Sequence, residues 1–283
     1  MTALLLAVLL LTPPHPPGEQ PTGMLTMLQG TLRLIRGTTV YRGVEGMPLR
    51  PGDILESSDG GFAQLEFPAG IIALGASSRL YVVSAGGTGG GRGIALDLIL
   101  LSGWLKSETA SGKGLVRVRT SLLAASTSGG AIVAHSNATG CETFLESGGP
   151  ASISEVSSSG EAGSPTQAKP GQFFSRQKGA PVSIVARPSG AFLDAVPKEF
   201  RDTLPSRQVH VANKPVQPKA DHAVSYEEIE SWLTTPTAWR RGLAERFAPR
   251  LSDAGFRKQI ESHVREFPEW EPLLHPKPSP ETP

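Results

Sequence analysis

His135 and Cys141 lie six residues apart, flanking Ser136-Asn137-Ala138-Thr139-Gly140, and could in principle supply a base and a nucleophile. A thiolate mechanism needs the two groups in contact and a third group to orient the imidazole. The intervening segment reads as a turn, so the pair is equally explained as cross-strand neighbours in a hairpin. Gly86-Gly87-Thr88-Gly89-Gly90-Gly91-Arg92-Gly93 invites a phosphate-cradle reading. No Lys-Ser/Thr follows those glycines, and the next segment is strand-like, so a flexible hairpin loop is expected. The six histidines (15, 135, 210, 222, 263, 275) show no H-x-x-x-H or H-E-x-x-H spacing. No G-x-S-x-G elbow occurs. With one cysteine, the chain has no internal disulfide framework and no Cys-based zinc site. The expectation is a protein with no catalytic, cofactor or metal residues. Cys141 reads as a buried, inert thiol. Asn137-Ala138-Thr139 matches a glycosylation acceptor and reads as incidental.

What would have to position any such residues is a β-rich scaffold. Glycine (32) and proline (25) make up about a fifth of the 283 residues, where a typical chain has about an eighth. That argues against a mainly helical protein and for short strands joined by turns. A net charge of +1 gives no global field toward nucleic acid or anionic lipid. From Gly30 to about Val185, glycines recur every eight to twelve residues with alternating apolar positions between them. Examples are Leu32/Leu34, Leu65/Phe67, Ile72/Leu74, Leu80/Val82, Ala95–Leu100, Val116/Val118, Ile132-Val133 and Val182/Ile184. Period 2 with turns at that spacing predicts about a dozen half-buried antiparallel strands and makes a parallel sheet with crossover helices unlikely. At Arg50-Pro51-Gly52-Asp53, proline presets φ and glycine accepts a positive φ, which predicts a type II turn with Asp53 bonded back to the turn amides.

The order of short motifs in this body carries more information than any one of them. Gly30-Thr31-Leu32-Arg33-Leu34 opens a strand, and Leu49-Arg50-Pro51-Gly52-Asp53 follows. Then come Ala63–Gly70, Ile72-Ala73-Leu74-Gly75, Leu100-Leu101-Ser102-Gly103 and Val116–Ser121, and Lys169-Pro170-Gly171-Gln172-Phe173 closes the series. The arrangement resembles the FecR family, the periplasmic domain type of the iron-dicitrate regulator, over roughly residues 26–186. The resemblance implies an antiparallel β-sandwich or solenoid-like domain, exported to the periplasm, with an interaction role in envelope signalling. Regulators of that family also carry a sigma-gripping segment and a membrane helix, which this reading does not transfer.

The ends complete the expected organisation. Ala3–Leu11 is a nine-residue apolar run of about 14 Å as a helix, short of the roughly 30 Å hydrocarbon core but sized for a signal peptide. Residues 1–22 are therefore read as a signal peptide and 23–187 as the FecR-like β domain. Ser157–Pro165 reads as an exposed low-complexity insertion. Residues 188–220 form a proline-punctuated connector, from which Phe192, Leu193 and Phe200 can dock on the β domain. Residues 221–271 form a small helical region. There, Ser225–Glu228 is a capping box, Thr235-Pro236 an N-cap with a first-turn proline, and Ser252 or Asp253 starts a third helix. Residues 272–283, with five prolines, read as a disordered tail.

The helices carry the candidate contact residues Trp232, Trp239, Arg240, Arg241 and Phe247. Their aromatic stripe fits a core position, and would become a partner-docking face if exposed. Arg240, Arg241, Arg246 and Arg250, beside Glu227, Glu228 and Glu230, read as a solvated mixed-charge face. The function expected is that of a non-enzymatic periplasmic protein that binds a protein partner, through an exposed strand edge. The alternative is an envelope structural protein that binds peptidoglycan. Neither reading involves nucleic acid, or a membrane span in the mature chain.

Overall fold

The computed structural model describes residues 22–86, 93–109, 111–211 and 216–276. The expected signal peptide and the glycine-rich loop around Gly89 lie outside the described residues. The periodic segments form β1 (Gly23–Gln29), β2 (Leu32–Arg36), β3 (Thr39–Arg42), β4 (Pro48–Leu49), β5 (Ile54–Ser57) and β6 (Phe62–Phe67). They continue as β7 (Gly70–Leu74), β8 (Arg79–Ala85), β9 (Ile94–Thr109), β10 (Leu115–Arg119), β11 (Leu123–Thr127) and β12 (Gly130–Ser136). The last six are β13 (Gly140–Gly148), β14 (Ala151–Glu155), β15 (Thr166–Ala168), β16 (Phe173–Gln177), β17 (Ser183–Val185) and β18 (Ala220–Ala223). The fold is mainly antiparallel β with a small C-terminal helical region, as the sequence predicts.

The strands build two sheets. The first runs β4-β1-β6-β7-β9-β12-β13-β16-β17. The second runs β18-β3-β2-β5-β8-β9-β10-β11-β14-β15. β9 belongs to both, because its Ile94–Ser102 half pairs in the second sheet and its Gly103–Thr109 half in the first. Gly103 makes the corner at φ +89, and a Cβ there would lie 2.5 Å from the Ser78 Cα, so a side chain is excluded on both counts. One pairing departs from the expectation: β9 and β10 run parallel. Between the two paired stretches the chain passes through the Gly103–Thr109 half of β9, in the first sheet, instead of the helix usual for parallel connections.

Leu25, Leu65 and Leu74 of the first sheet meet Leu34, Leu55 and Leu98 of the second in the inter-sheet core. A second inter-sheet cluster holds Ile132, Leu145 and Phe174 against Leu123 and Ile153. Several of the expected half-buried strands, β5 and β6 among them, are covered on both faces, while β10 keeps the expected alternation. Leu34, Leu55 and Leu98 point into the sandwich, while their neighbours Ile35, Ile54 and Ile99 point outward under the C-terminal helices. On the first sheet, Phe62, Ala73, Val133 and Phe173 point outward under residues of the connector. The order of layers is therefore connector, first sheet, second sheet, helices.

The connector is a docked strap rather than a spacer. It contains α1 (Gly190–Ala195) and α2 (Gln208–Val211). Phe192, Phe200 and Leu204 are buried against the first sheet, whereas Leu193 remains exposed. The polar side of β6, which alternation would place in water, is covered too. Gln64 donates to the Pro205 carbonyl at 2.8 Å, and Glu66 accepts from the Ser206 hydroxyl and the Arg207 amide, each at 2.6 Å. Lys106, fully buried on β9, donates to the carbonyls of Phe200 at 2.8 Å and Asp202 at 3.1 Å. Its ammonium also pairs with Glu146 at 2.8 Å and Glu108 at 3.3 Å.

The helical region comprises α3 (Tyr226–Leu233), α4 (Thr237–Phe247), α5 (Ala254–Ser262) and α6 (Glu271–Leu274). Glu228 accepts the Ser225 amide at 2.9 Å in the predicted capping box, and Asp253 caps α5 through the Phe256 amide at 2.9 Å. Thr235 does not cap α4. Its hydroxyl turns back to the Trp232 carbonyl at 2.6 Å, and Pro236 occupies the cap position. Residues 272–274, expected in a disordered tail, are helical, and Leu274 packs in the same cluster as Trp270 and Phe256. Apolar burial of Leu274 outweighs the proline content of the segment.

Candidate functional site

The candidate contact residues converge on the seam between the helices and the second sheet. Trp232, Trp239 and Phe247 are buried there with Ile35, Ile54 and Ile99. The Trp232 indole donates to Glu56 at 3.2 Å, and the Trp239 indole donates to the Gly160 carbonyl at 3.2 Å. The Arg119 guanidinium lies 5.4 Å from the Trp239 ring and is itself held by Asp97. The aromatic stripe is thus core. Arg241 is exposed, and Arg240 pairs with Glu269.

The arginines do not form the solvated face expected of them. Arg246 donates to the carbonyls of Gly37 at 3.0 Å, Ile35 at 2.8 Å and Gly52 at 2.5 Å. Arg250 donates to the Val224 carbonyl at 2.8 Å. Each supplies donors to backbone carbonyls at or beside the sheet's turns, tying the helices to the second sheet through its main chain. The Pro51-Gly52 turn that receives Arg246 has the predicted geometry. Gly52 has φ +86, and the Asp53 carboxylate accepts the Arg50 amide at 2.8 Å. Arg36 completes that turn with a bidentate pair to the fully buried Asp53 at 2.8 and 2.7 Å. Sequence reading missed this partner because Arg36 sits at the polar end of an otherwise ordinary strand.

Residues 157–160, in the segment expected to be an exposed insertion, form the receiving loop for α4. Ser159 accepts the Ala238 amide at 2.9 Å, and Gly160 accepts the Trp239 indole.

The Cys141/His135 pair is separated by the sheet itself. The two residues sit on the β12–β13 hairpin, but the register opposes His135 to Glu142 and Ser136 to Cys141. His135 points to the strap side, 3.1 Å from Glu142 and stacked on Trp104 at 4.3 Å between ring centres. Cys141 points into the inter-sheet core, and burial pushes its thiol up to about 11, so little thiolate exists at neutral pH. The Asn137 side chain accepts the Thr139 and Gly140 amides at 2.9 Å each, which accounts for the turn.

Two concave features remain. At one end of the sandwich, β15 and β17 are the outer strands of the two sheets, each paired on one side only among the described residues. Between them lies a slot of about 280 Å³ lined by Ile153, Phe174, Val182 and Ile184 together with Glu155 and Thr166. β17 is exposed along its whole length, with Ile184 47% and Val185 45% accessible. The sequence marked Val182/Ile184 as a strand, but nothing local distinguishes an edge strand from an inner one.

The second feature is a trough of about 780 Å³ between the 157–158 loop, the start of α4, the second sheet at Arg79 and the first sheet's β12–β13 and β16–β17 turns. Arg79, Arg176, Lys178 and Arg240 line it, with hydroxyls that include Ser102, Ser121, Ser158, Thr234 and Thr237. Its lining contains neither a carboxylate nor an aromatic ring. A recess of about 470 Å³ lined by Arg33, Glu56, Ser58 and Ser77 adjoins it, sharing Arg79 and Ser102. Among the described residues no group of three or more His, Cys, Asp or Glu could hold a metal ion, and no helix is long and apolar enough to cross a membrane.

No family model matches the chain, and no curated protein does. Among solved structures, it is similar to two crystal structures described as a putative anti-sigma factor from Parabacteroides distasonis ATCC 8503. Identity is 10% in both, with TM-scores of 0.37 and 0.38. Each similarity covers 47% of this chain and 59% of the other, so this chain spans a little over half the length of those neighbours.

Proposed function

We propose that the chain is an exported, non-enzymatic interaction protein of the bacterial periplasm that works in envelope signalling and binds a protein partner by strand addition at β17. One observation carries the binding mode: an exposed edge strand stands beside a slot with an apolar floor and a polar rim, between the outer strands of the two sheets. An added strand gains main-chain hydrogen bonds from the edge, and the slot accepts its alternate side chains. The export and signalling parts rest on the apolar run Ala3–Leu11 and on the FecR-like order of motifs. The non-enzymatic part is supported by the burial of Cys141 away from His135.

The test uses the full chain as bait in an envelope extract, beside the variants Ile184→Lys and Lys178→Gln. Wild type and Lys178→Gln should retain a protein that Ile184→Lys loses. Equal retention by Ile184→Lys would overturn the edge as the binding site. Fractionation of cells that express the chain tests export, which a cytoplasmic pool alone would contradict.

A further inference from the structure

The trough reaches the β16–β17 turn through Lys178 but shares no lining residue with the slot beside β17, and its lining has a chemistry that the strand-addition reading does not use. Four cationic side chains enter it, and the carboxylates that steady them stand outside its lining. Arg240 is held by Glu269, and Arg176 by Glu155 at 3.1 Å and by the carbonyls of Leu122, Val156 and Ala180. Those two are fixed in place. Arg79 is tied only by its Nε, 3.5 Å from Glu56, and its side chain is 43% exposed. Lys178 is exposed and makes no ion pair among the described residues. The trough thus presents two lightly held cations, Arg79 and Lys178, beside a row of hydroxyls that can donate to oxygen.

We propose that this trough binds a small, soluble phosphate ester. Its volume lies within the roughly 300–1,000 Å³ of small-molecule sites. Guanidinium, ammonium and hydroxyl donors match the several acceptor oxygens of a phosphoryl group. A neutral sugar would find no aromatic face to stack on, and an apolar ligand would leave the four cations of the lining without an acceptor. The adjoining recess, with Arg33, Ser58 and Ser77, gives room for the alcohol part of the ester.

Calorimetric titration of the full chain at low ionic strength, with inorganic phosphate, glycerol 3-phosphate and glycerol as probes, tests the assignment. The expected result is saturable binding of glycerol 3-phosphate at one site, weaker binding of phosphate, and none of glycerol. Lys178→Gln, a surface change that leaves the melting temperature unaltered, should weaken binding at least tenfold. Arg79→Gln should do the same, and Ile184→Lys should bind as wild type. No saturable heat with either phosphate probe, or equal affinity in Lys178→Gln, would overturn the proposal. Flotation with phosphatidylglycerol vesicles separates the two sources of the same headgroup chemistry. The chain should stay with the soluble fraction; flotation without binding of glycerol 3-phosphate would assign the trough to lipid and overturn the soluble ligand.

Discussion

The two outer faces of the sandwich are covered by different means. The helices cover the second sheet with apolar surface, wedging Trp232, Trp239 and Phe247 between isoleucines, and their arginines donate to carbonyls at or beside the sheet's turns. The strap covers the first sheet with three apolar anchors, and holds on through its own backbone, which meets Lys106, Gln64 and Glu66. An apolar cover requires a periodic stripe in its own sequence, whereas a strap held by its main chain requires only the right partners on the sheet. The first leaves a pattern that can be read in advance. The second leaves only isolated anchors, Phe192 and Phe200, and nothing that marks the polar bonds of its backbone.

Three substitutions rank the two covers and one sets the baseline. Trp232→Ala should have the largest effect, about 3–5 kcal/mol, because it empties a fully buried position and leaves Glu56 short of a donor. Chemical denaturation should show the loss; a cost below about 1 kcal/mol would mean that the helices are not part of the folded core. Lys106→Met should cost about 2–3 kcal/mol, since two strap carbonyls lose their buried donor while the apolar stem is kept. Limited proteolysis should then cut within 198–207 before the β body unfolds. Simultaneous loss of both would show the strap to be integral to the sandwich rather than a cover.

Glu66 offers a gentler handle on the strap. Burial alone would raise its carboxyl, but hydrogen bonds from Ser206, Arg207, Thr26 and Gln64 outweigh that and hold it below the ordinary value. A carboxylate depressed in the folded state stabilises above its unfolded value, and that contribution is lost as pH falls through the folded one. The strap should therefore loosen in acid below the usual carboxylate range, and Glu66→Gln should flatten this pH dependence at a cost of about 1 kcal/mol near neutrality. An unchanged acid profile in Glu66→Gln would remove Glu66 from the latch. Arg241→Ala, at an exposed position, should change stability by no more than about 0.5 kcal/mol in the same melts.

Much of the fold was legible in the residues. The Pro51-Gly52-Asp53 turn, the strand spacing, the capping box and the Asp253 cap follow from local chemistry and appear as read. Both covers had a sign that strict alternation hides. Doublets such as Ile54-Leu55, Leu98-Ile99, Ile132-Val133 and Phe173-Phe174 put apolar side chains on both faces of a strand, which only a covered sheet tolerates. The docked role of Ser157–Gly160 was not legible, because its bonds to α4 use carbonyls that every residue carries. The parallel β9–β10 pair depends on the bend at Gly103, where one apolar run divides between two sheets. The candidate sites divide likewise. The aromatics could be read as core, but the slot and the trough are assembled from segments distant in sequence, so no spacing announces them.

A partner is proposed to add a strand at β17, the exposed outer strand of the first sheet. Amide hydrogen exchange of the full chain, alone and with the protein recovered from the envelope extract, tests it most directly. New protection should be confined to β15, β17 and the slot between them, and absent in Ile184→Lys. Protection over the helical seam, with β17 exchanging as in the free chain, would contradict it.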